Sequence, residues 1–584
     1  MSTIRLFNKA LAGKEVSYSN LCKLGLKVGY LVHPDCATQE VENFLNAQII
    51  DYNSTFYKSW NDVISHSREE IWVDQVISYI YGYGLNLTVI PNDNSEQPDF
   101  TEFRVINPIT AEEATARCEQ MLYSGIALKQ DTIEDILVVL SQLNYQYNIS
   151  KIKNKEAKMW IYKATSTLPA DPVEMVRYLV FLASGKSLLI KDKETINSLK
   201  SSDLDVTQLI PLYGTEKLAS VFLRYKVLFL AFKANKSKLN STIINQLRKS
   251  AIKNHQPMKT GFWENILDDS SLLEQIPDRI NEINNFKKIT LIEAINVRLT
   301  HSKISTFPIR NGKVWLSENL KQVTNQEYLR LLKNLLYRSI IESLKPKATT
   351  IKLPIGVDIK LPKSEKAFVG NYPLGSSLEM AGKDLIIGIN RKKENANGYL
   401  DFSASTVDNI KIGWNSNFSS VNQDLIFSGD VRSVDNTNEA TELFYAKNDF
   451  KKDYIFKVNN YEREDVIPFN FFIARESVED LKKNYMVDPN NVFFRTELKA
   501  ISKETSIGLI SKNKFIFASF RTGNKNVAGD SVTNQYIQYT LDTLDCYLPL
   551  KQLLEDAGFE IVKDKAAQID LTDLSKDSLI ELLS

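Results

Sequence analysis

Cysteine is scarce: four in 584 residues, Cys22, Cys36, Cys118 and Cys546, with no CxxC pair among them. That scatter argues against a disulfide scaffold and against a zinc ribbon or RING-type finger, so no zinc is expected and a reducing cytoplasm is the compartment it suits. Histidine is as sparse. His33, His66, His255 and His301 lie far from one another and from the cysteines, so spacing assembles neither a metal pair nor a Cys-His nucleophile. Excess charge of one sign is missing too, because 72 Lys+Arg against 71 Asp+Glu leave a net charge of +1. No whole-chain field therefore drives binding to nucleic acid or to an anionic membrane. No run of about 18 apolar residues occurs. The start, MSTIRLFNKALAGKEVSYS, lacks a long apolar core, so neither a secretory leader nor a membrane span is expected. The run Val176 to Leu182 is interrupted by Arg177 and soon followed by Lys186; it reads as a buried helix. Internal repeats and long low-complexity tracts are absent as well.

What is present suits ordinary globular cores: 43% apolar residues and 10% aromatics. The length is too great for one core, so several domains are expected. Residues 1–108 mix helical segments (Thr38 to Leu45, Phe56 to Ser65, Glu69 to Tyr81) with a strand-like Leu85 to Ile90 and a polar loop at 91–98. Residues 109–345 are mainly helical: Asp131 reads as a helix cap with an acidic first turn, and Leu218 to Phe232 and Leu329 to Leu344 have the broad apolar faces of core helices. The helical period stops at Leu344-Lys-Pro-Lys and alternation begins at Ile351. Residues 346–530 then show short apolar runs separated by Asp-, Asn- and Gly-bearing turns every ten residues or so, the pattern of an antiparallel β-sandwich. Residues 531–584 read as a helical extension. The expected fold class is multidomain α+β, with helical N-terminal and middle regions, a sandwich and a short helical tail.

Three constellations resemble chemistry. Ala183-Ser-Gly-Lys-Ser187 ends like a phosphate loop, but Val180 replaces the first glycine and the run follows a helix-like segment, so a helix end capped by Gly185 is the stronger reading. A basic patch, Arg248, Lys249, Lys253 and Lys259 around His255, offers a contact for nucleic acid; its competitor is a solvated helix end beside its own carboxyl terminus. The acids Asp401, Asp424, Asp430, Asp435, Glu439 and Glu442 are the densest set in turns. Calcium takes about six to eight oxygens, which loops supply readily, whereas acidic turns also serve solubility alone.

Tyr399-Leu-Asp-Phe-Ser-Ala-Ser405 resembles the DLDLSA element of TerD-type domains, the tellurite-resistance and stress-response family. Ser428-Gly-Asp-Val-Arg432 is similar to its SGDNR element, Ala440-Thr-Glu442 to the acidic element that follows, and Tyr454 to Ala474 to its late pair of strands. Stretches such as Leu122-Tyr-Ser-Gly-Ile-Ala-Leu, Leu218 to Lys233, Ile244 to Met258 and Ile569 to Ile580 are similar to large bacterial proteins that carry a helical region before a TerD-like domain. The zinc finger of some such proteins is not carried over, because this chain has no CxxC pair. The resemblance implies a sandwich that binds calcium through acidic loops, with Asp401, Asp430 and Glu442 at the matching positions. Tyr399 stands where the first Asp would be, and Glu439-Ala-Thr thins the acids before Glu442. Fewer carboxylates mean less charge and fewer ligands, so calcium binding is expected to be weakened or lost.

The reading that follows is a non-enzymatic cytoplasmic scaffold or binding protein of the TerD-associated stress or defence type, with protein partners and no membrane contact. Two alternatives stay open. One is an enzyme or nucleic-acid-processing factor whose groups meet in a cleft between the helical and β regions; the other is a structural component of a phage or other large assembly.

Overall fold

The computed structural model describes residues 2–50, 60–82, 100–189, 191–237, 239–254, 256–258, 261–301, 303–307, 309–310, 313–314, 316–322, 325–345, 349–380, 384–392, 400–408, 410–413, 416–429, 439–447, 450–460, 467–477, 487–500, 504–519, 531–563 and 566–584. It is a mixed α+β chain with antiparallel sheets in its C-terminal half.

The N-terminal part is built on a small parallel sheet, Lys9–Leu11 beside Arg104–Ile109 beside Tyr30–Val32, packed by helices Tyr18–Val28 and Gln39–Ala47. Thr38 caps the second helix, its hydroxyl accepting the Val41 amide at 3.4 Å. The expected helices near 56–65 and 69–81 are Trp60–Ser65 and Arg68–Gly82. The strand expected at 85–90 and the loop at 91–98 lie outside the described residues.

The middle is helical, as its period predicts. Helix Pro172–Ser184 has Asp171 at its N-cap, Pro172 in the first turn and Gly185 at its end with φ 69°, the amide of Gly185 donating to Phe181 O at 2.8 Å. A left-handed end of this kind favours glycine. The single core helix expected over Leu218 to Phe232 is instead two, Thr215–Arg224 and Lys226–Lys233, hinged at Tyr225 (φ −114°, ψ 28°). Tyr225 accepts the amides of Leu228 and Phe229 at 2.9 and 3.2 Å, so the second helix starts at once. The bend lets Phe222 and Phe229 share one core with Leu247 of helix Asn240–Asn254. A two-stranded hairpin, Lys303–Thr306 with Ser317–Gln322, also interrupts the helical region.

Helix Gln326–Leu344 buries Leu329, Leu332, Leu336, Ile340 and Leu344, a stripe at three- and four-residue spacing. It packs on helix Asn285–Thr300 and on the C-terminal residues Leu553, Leu554, Leu579 and Ile580. The extension is not only helical: Glu560–Ile561 and Ile569–Asp570 flank Thr350–Lys352 in a parallel sheet. The chain end thereby closes the core of the helical region.

Residues from about 357 to 517 form two facing antiparallel sheets. One runs Val357–Asp358, Ser377–Glu379, Lys514–Phe517, Glu504–Ser511, Tyr454–Asn460, Leu400–Thr406, Lys411–Ile412; the other runs Leu425–Phe427, Glu439–Ala446, Leu385–Lys392, Ile467–Arg475, Val492–Ala500. Aromatic side chains fill the space between them. Phe402 meets Phe444 edge-on at 5.0 Å, Phe444 meets Phe456 at 5.6 Å and Phe471 lies 5.3 Å from Phe515. Gly388 leaves room for this packing, since a Cβ there would stand 2.4 Å from both Leu443 and Phe472.

Helix Gln130–Gln142 ties these parts together. Its N-cap is Lys129, not Asp131. Asp131 is drawn instead into ion pairs with Lys499 of the sandwich (3.3 Å) and Lys576 of the chain end (3.5 Å), while Asp135 pairs with Arg5. Glu365 accepts the Lys129 amide at 2.7 Å and the Thr132 hydroxyl at 2.5 Å. One helix start thus collects side chains from every region of the chain.

Candidate functional site

Strand alternation sorts the sequence-derived acids. Phe402 points between the sheets, so Asp401, Ser403 and Ser405 face outward from the seven-stranded sheet. Glu442 shares the inward parity of Phe444, and its Oε2 accepts the Phe402 amide at 2.7 Å. By strand parity Asp401 thus belongs to the outer face and Glu442 to the inner one. Asp424 is committed elsewhere: its carboxylate accepts the Ser420 and Tyr454 hydroxyls at 2.5 and 2.6 Å and the Lys451 amide at 2.9 Å. Asp430 and Asp435 lie outside the described residues, as does the side chain of Glu439.

The outward face bearing Asp401 is polar and yet buried. Register places Asp401 opposite Asn459, Ser403 opposite Lys457, Ser405 opposite Lys411, and Lys457 opposite Ser506. Lys457 Nζ is 3.1 Å from Glu504 Oε1, with both side chains largely out of solvent, and Asn459 donates to the Ser403 hydroxyl at 3.2 Å. Lys411 feels both Asp401 and Glu504; burial pulls its ammonium below the usual lysine range while the two acids oppose this. Two acids thus share their face with two lysines. Sequence reasoning passed over Lys411 and Lys457, although each is a cation at an alternating position of a strand.

On this face, among the described residues, ammonium groups accompany the acids. Among the described residues no group of three or more His, Cys, Asp or Glu side chains is placed to hold a metal ion. Glu504 contacts the Lys457 ammonium, Asp424 two hydroxyls and a backbone amide, and Glu442 a backbone amide.

The remaining sequence signals fall apart spatially. Arg248, Lys249 and Lys253 are exposed along helix Asn240–Asn254, whose buried side carries Ile244, Leu247 and Ala251; Lys259 and His255 lie outside the described residues. Lys186 of the phosphate-loop lookalike pairs with Asp192 and Glu194 at 3.2 and 2.9 Å. His33 stands beside Asp35, His66 beside Ser65 and His301 beside the Tyr539 ring. All four cysteines are free thiols, and burial pushes Cys36 and Cys118 up to about 11 and about 12.

A cleft of about 300 Å³ lies where the hairpin of the helical region, the sandwich edge and helix Ser531–Asp542 meet. Phe307 comes from the hairpin, Phe517 from the sandwich, and Tyr536, Tyr539 and Tyr547 from the C-terminal extension. Beside it lies an ion pair between half-buried Lys363 and buried Glu293 at 2.5 Å, whose ammonium sits 4.5 Å from the centre of the Tyr547 ring. Glu293 Oε1 has no hydrogen-bond partner, and burial raises this carboxyl above its ordinary range despite Lys363. No local motif announces the cleft, since its walls come from four separate stretches. Among the described residues its lining is aromatic, aliphatic and hydroxyl-bearing, with no acid, base or thiol; such a set suits binding better than proton transfer.

Among the described residues, no helix is long and apolar enough to cross a membrane. Comparison with protein families, with curated proteins and with solved structures found no match.

Proposed function

We propose that this chain is a non-enzymatic, cytoplasmic binding or scaffold protein of the TerD-associated stress-response or defence type. The two facing sheets between Val357 and Phe517 are its TerD-like sandwich, with a calcium site weakened or lost. The helical middle serves protein partners and the sandwich side holds a small ligand. One observation carries the calcium part: Lys411 and Lys457 occupy the face of Asp401 and Glu504. An ammonium beside each acid supplies the positive charge that a divalent ion would otherwise bring, and repels that ion. The antiparallel two-sheet architecture and the order of the sequence elements along it support the TerD-like assignment.

Thermal unfolding of the full chain in calcium and in EGTA tests the proposal. A micromolar site at about 1 mM calcium would add about 4 kcal/mol to the folded state, which moves a melting transition by several degrees. The expected shift is under about 1 °C. A shift of several degrees would contradict the proposal.

A further inference from the structure

We infer that the cleft at the junction of hairpin, sandwich and C-terminal extension is a binding site for an uncharged, planar aromatic molecule. This goes beyond the proposed function and stands whether or not the sandwich takes calcium. The volume, about 300 Å³, is at the lower end for small-molecule sites and suits a guest of two or three fused or linked rings. Neutrality follows from the lining. With no acid or base among its described side chains, a charged guest would lose hydration and gain no counter-ion there. Flatness follows from the five aromatic residues among the twelve described in the lining, whose rings reward stacked or edge-on contacts.

The lining rings brace one another and are braced by neighbours, so the cleft is formed before a guest arrives. Phe307 packs 5.6 Å from Tyr536 and 5.3 Å from Tyr539. Phe517 stacks on Tyr372 at 4.8 Å and 13°. Lys363, fixed by Glu293, lies against Tyr547. Thr540 and Thr543 turn their hydroxyls back to the carbonyls of Tyr536 and Tyr539 at 2.8 and 2.9 Å. Walls fixed in this way reduce the ordering cost of binding.

The test is a fluorescence titration of the full chain with N-phenyl-1-naphthylamine, an uncharged aromatic probe that brightens in apolar sites. Saturable binding of one probe per chain is expected, displaced by 2-naphthol and not by dodecanol at equal concentration. Thr540→Trp should weaken binding at least tenfold by filling the cleft, and Tyr539→Leu at least threefold by removing a ring; each variant is first checked for an unchanged melting temperature. Absence of saturable binding, displacement by dodecanol as readily as by 2-naphthol, or full binding by whichever folded variant is obtained would overturn the inference. The competition arm uses the unaltered chain, so it decides even if both variants misfold.

Discussion

Replacing Asp131 with asparagine removes a charge that two lysines from distant parts of the chain share. Burial alone would push the Asp131 carboxyl up, but Lys576, Lys499 and Lys129 outweigh burial and hold it at about 2, against an ordinary 3.8. Each pKa unit is about 1.4 kcal/mol, so nearly two units give about 2.5 kcal/mol. A third of the side chain is exposed, and solvent screening reduces this to about 1.5 kcal/mol. The sign follows from a depressed folded pKa. The contribution is fully present above the unfolded value of 3.8 and is lost as pH falls through about 2. Urea unfolding followed by circular dichroism should therefore show Asp131→Asn destabilised by about 1.5 kcal/mol at pH 7, with the difference shrinking below about pH 4. Combining it with Lys576→Met isolates the pair, and a coupling of about 1 kcal/mol is expected. A neutral Asp131→Asn at pH 7, or zero coupling with Lys576, would refute the view that this helix start joins the regions.

Two further outcomes follow from buried contacts. Lys363→Met leaves Glu293 buried without its cation. Burial already raises this carboxyl, with Lys363 opposing, so its contribution to stability is present below the unfolded value and is lost as pH rises through the folded one. The variant should lose about 3 kcal/mol at neutral pH and less at pH 5, as read from melting temperatures at the two pH values; an equal loss at both would count against a charged Glu293. Gly388→Ala forces a Cβ to within 2.4 Å of Leu443 and Phe472, which should cost about 1–3 kcal/mol in thermal unfolding, and an unchanged melting temperature would show that the sheets are looser there.

Local signals were readable where one residue type answers one geometric need. Gly185 marks a left-handed helix end, and the change from helical period to alternation after Leu344 coincides with the passage from helix Gln326–Leu344 to strand Thr350–Lys352. Alternating apolar runs between polar turns likewise anticipated antiparallel sheets. Non-local decisions were not readable. Asp131 has the look of a cap because acids favour a first turn, yet its role is set by Lys499 and Lys576, far along the chain. The break at Tyr225 has no proline or glycine to announce it and is set by a shared core. Strand Thr350–Lys352 finds its partners about 200 residues later. Asp401 was legible as an acid in a patterned strand, but Lys411 and Lys457 join it only through register. The cleft depends on Phe307, Phe517, Tyr536, Tyr539 and Tyr547 meeting in space, which no spacing along the chain encodes.

On the outer face of the seven-stranded sheet, lysines stand beside the acids that a cation would need. Isothermal titration of calcium into the full chain tests this directly. The predicted result is no saturable heat in the micromolar range. One-site binding at micromolar or tighter affinity, lost in Asp401→Asn, would contradict it.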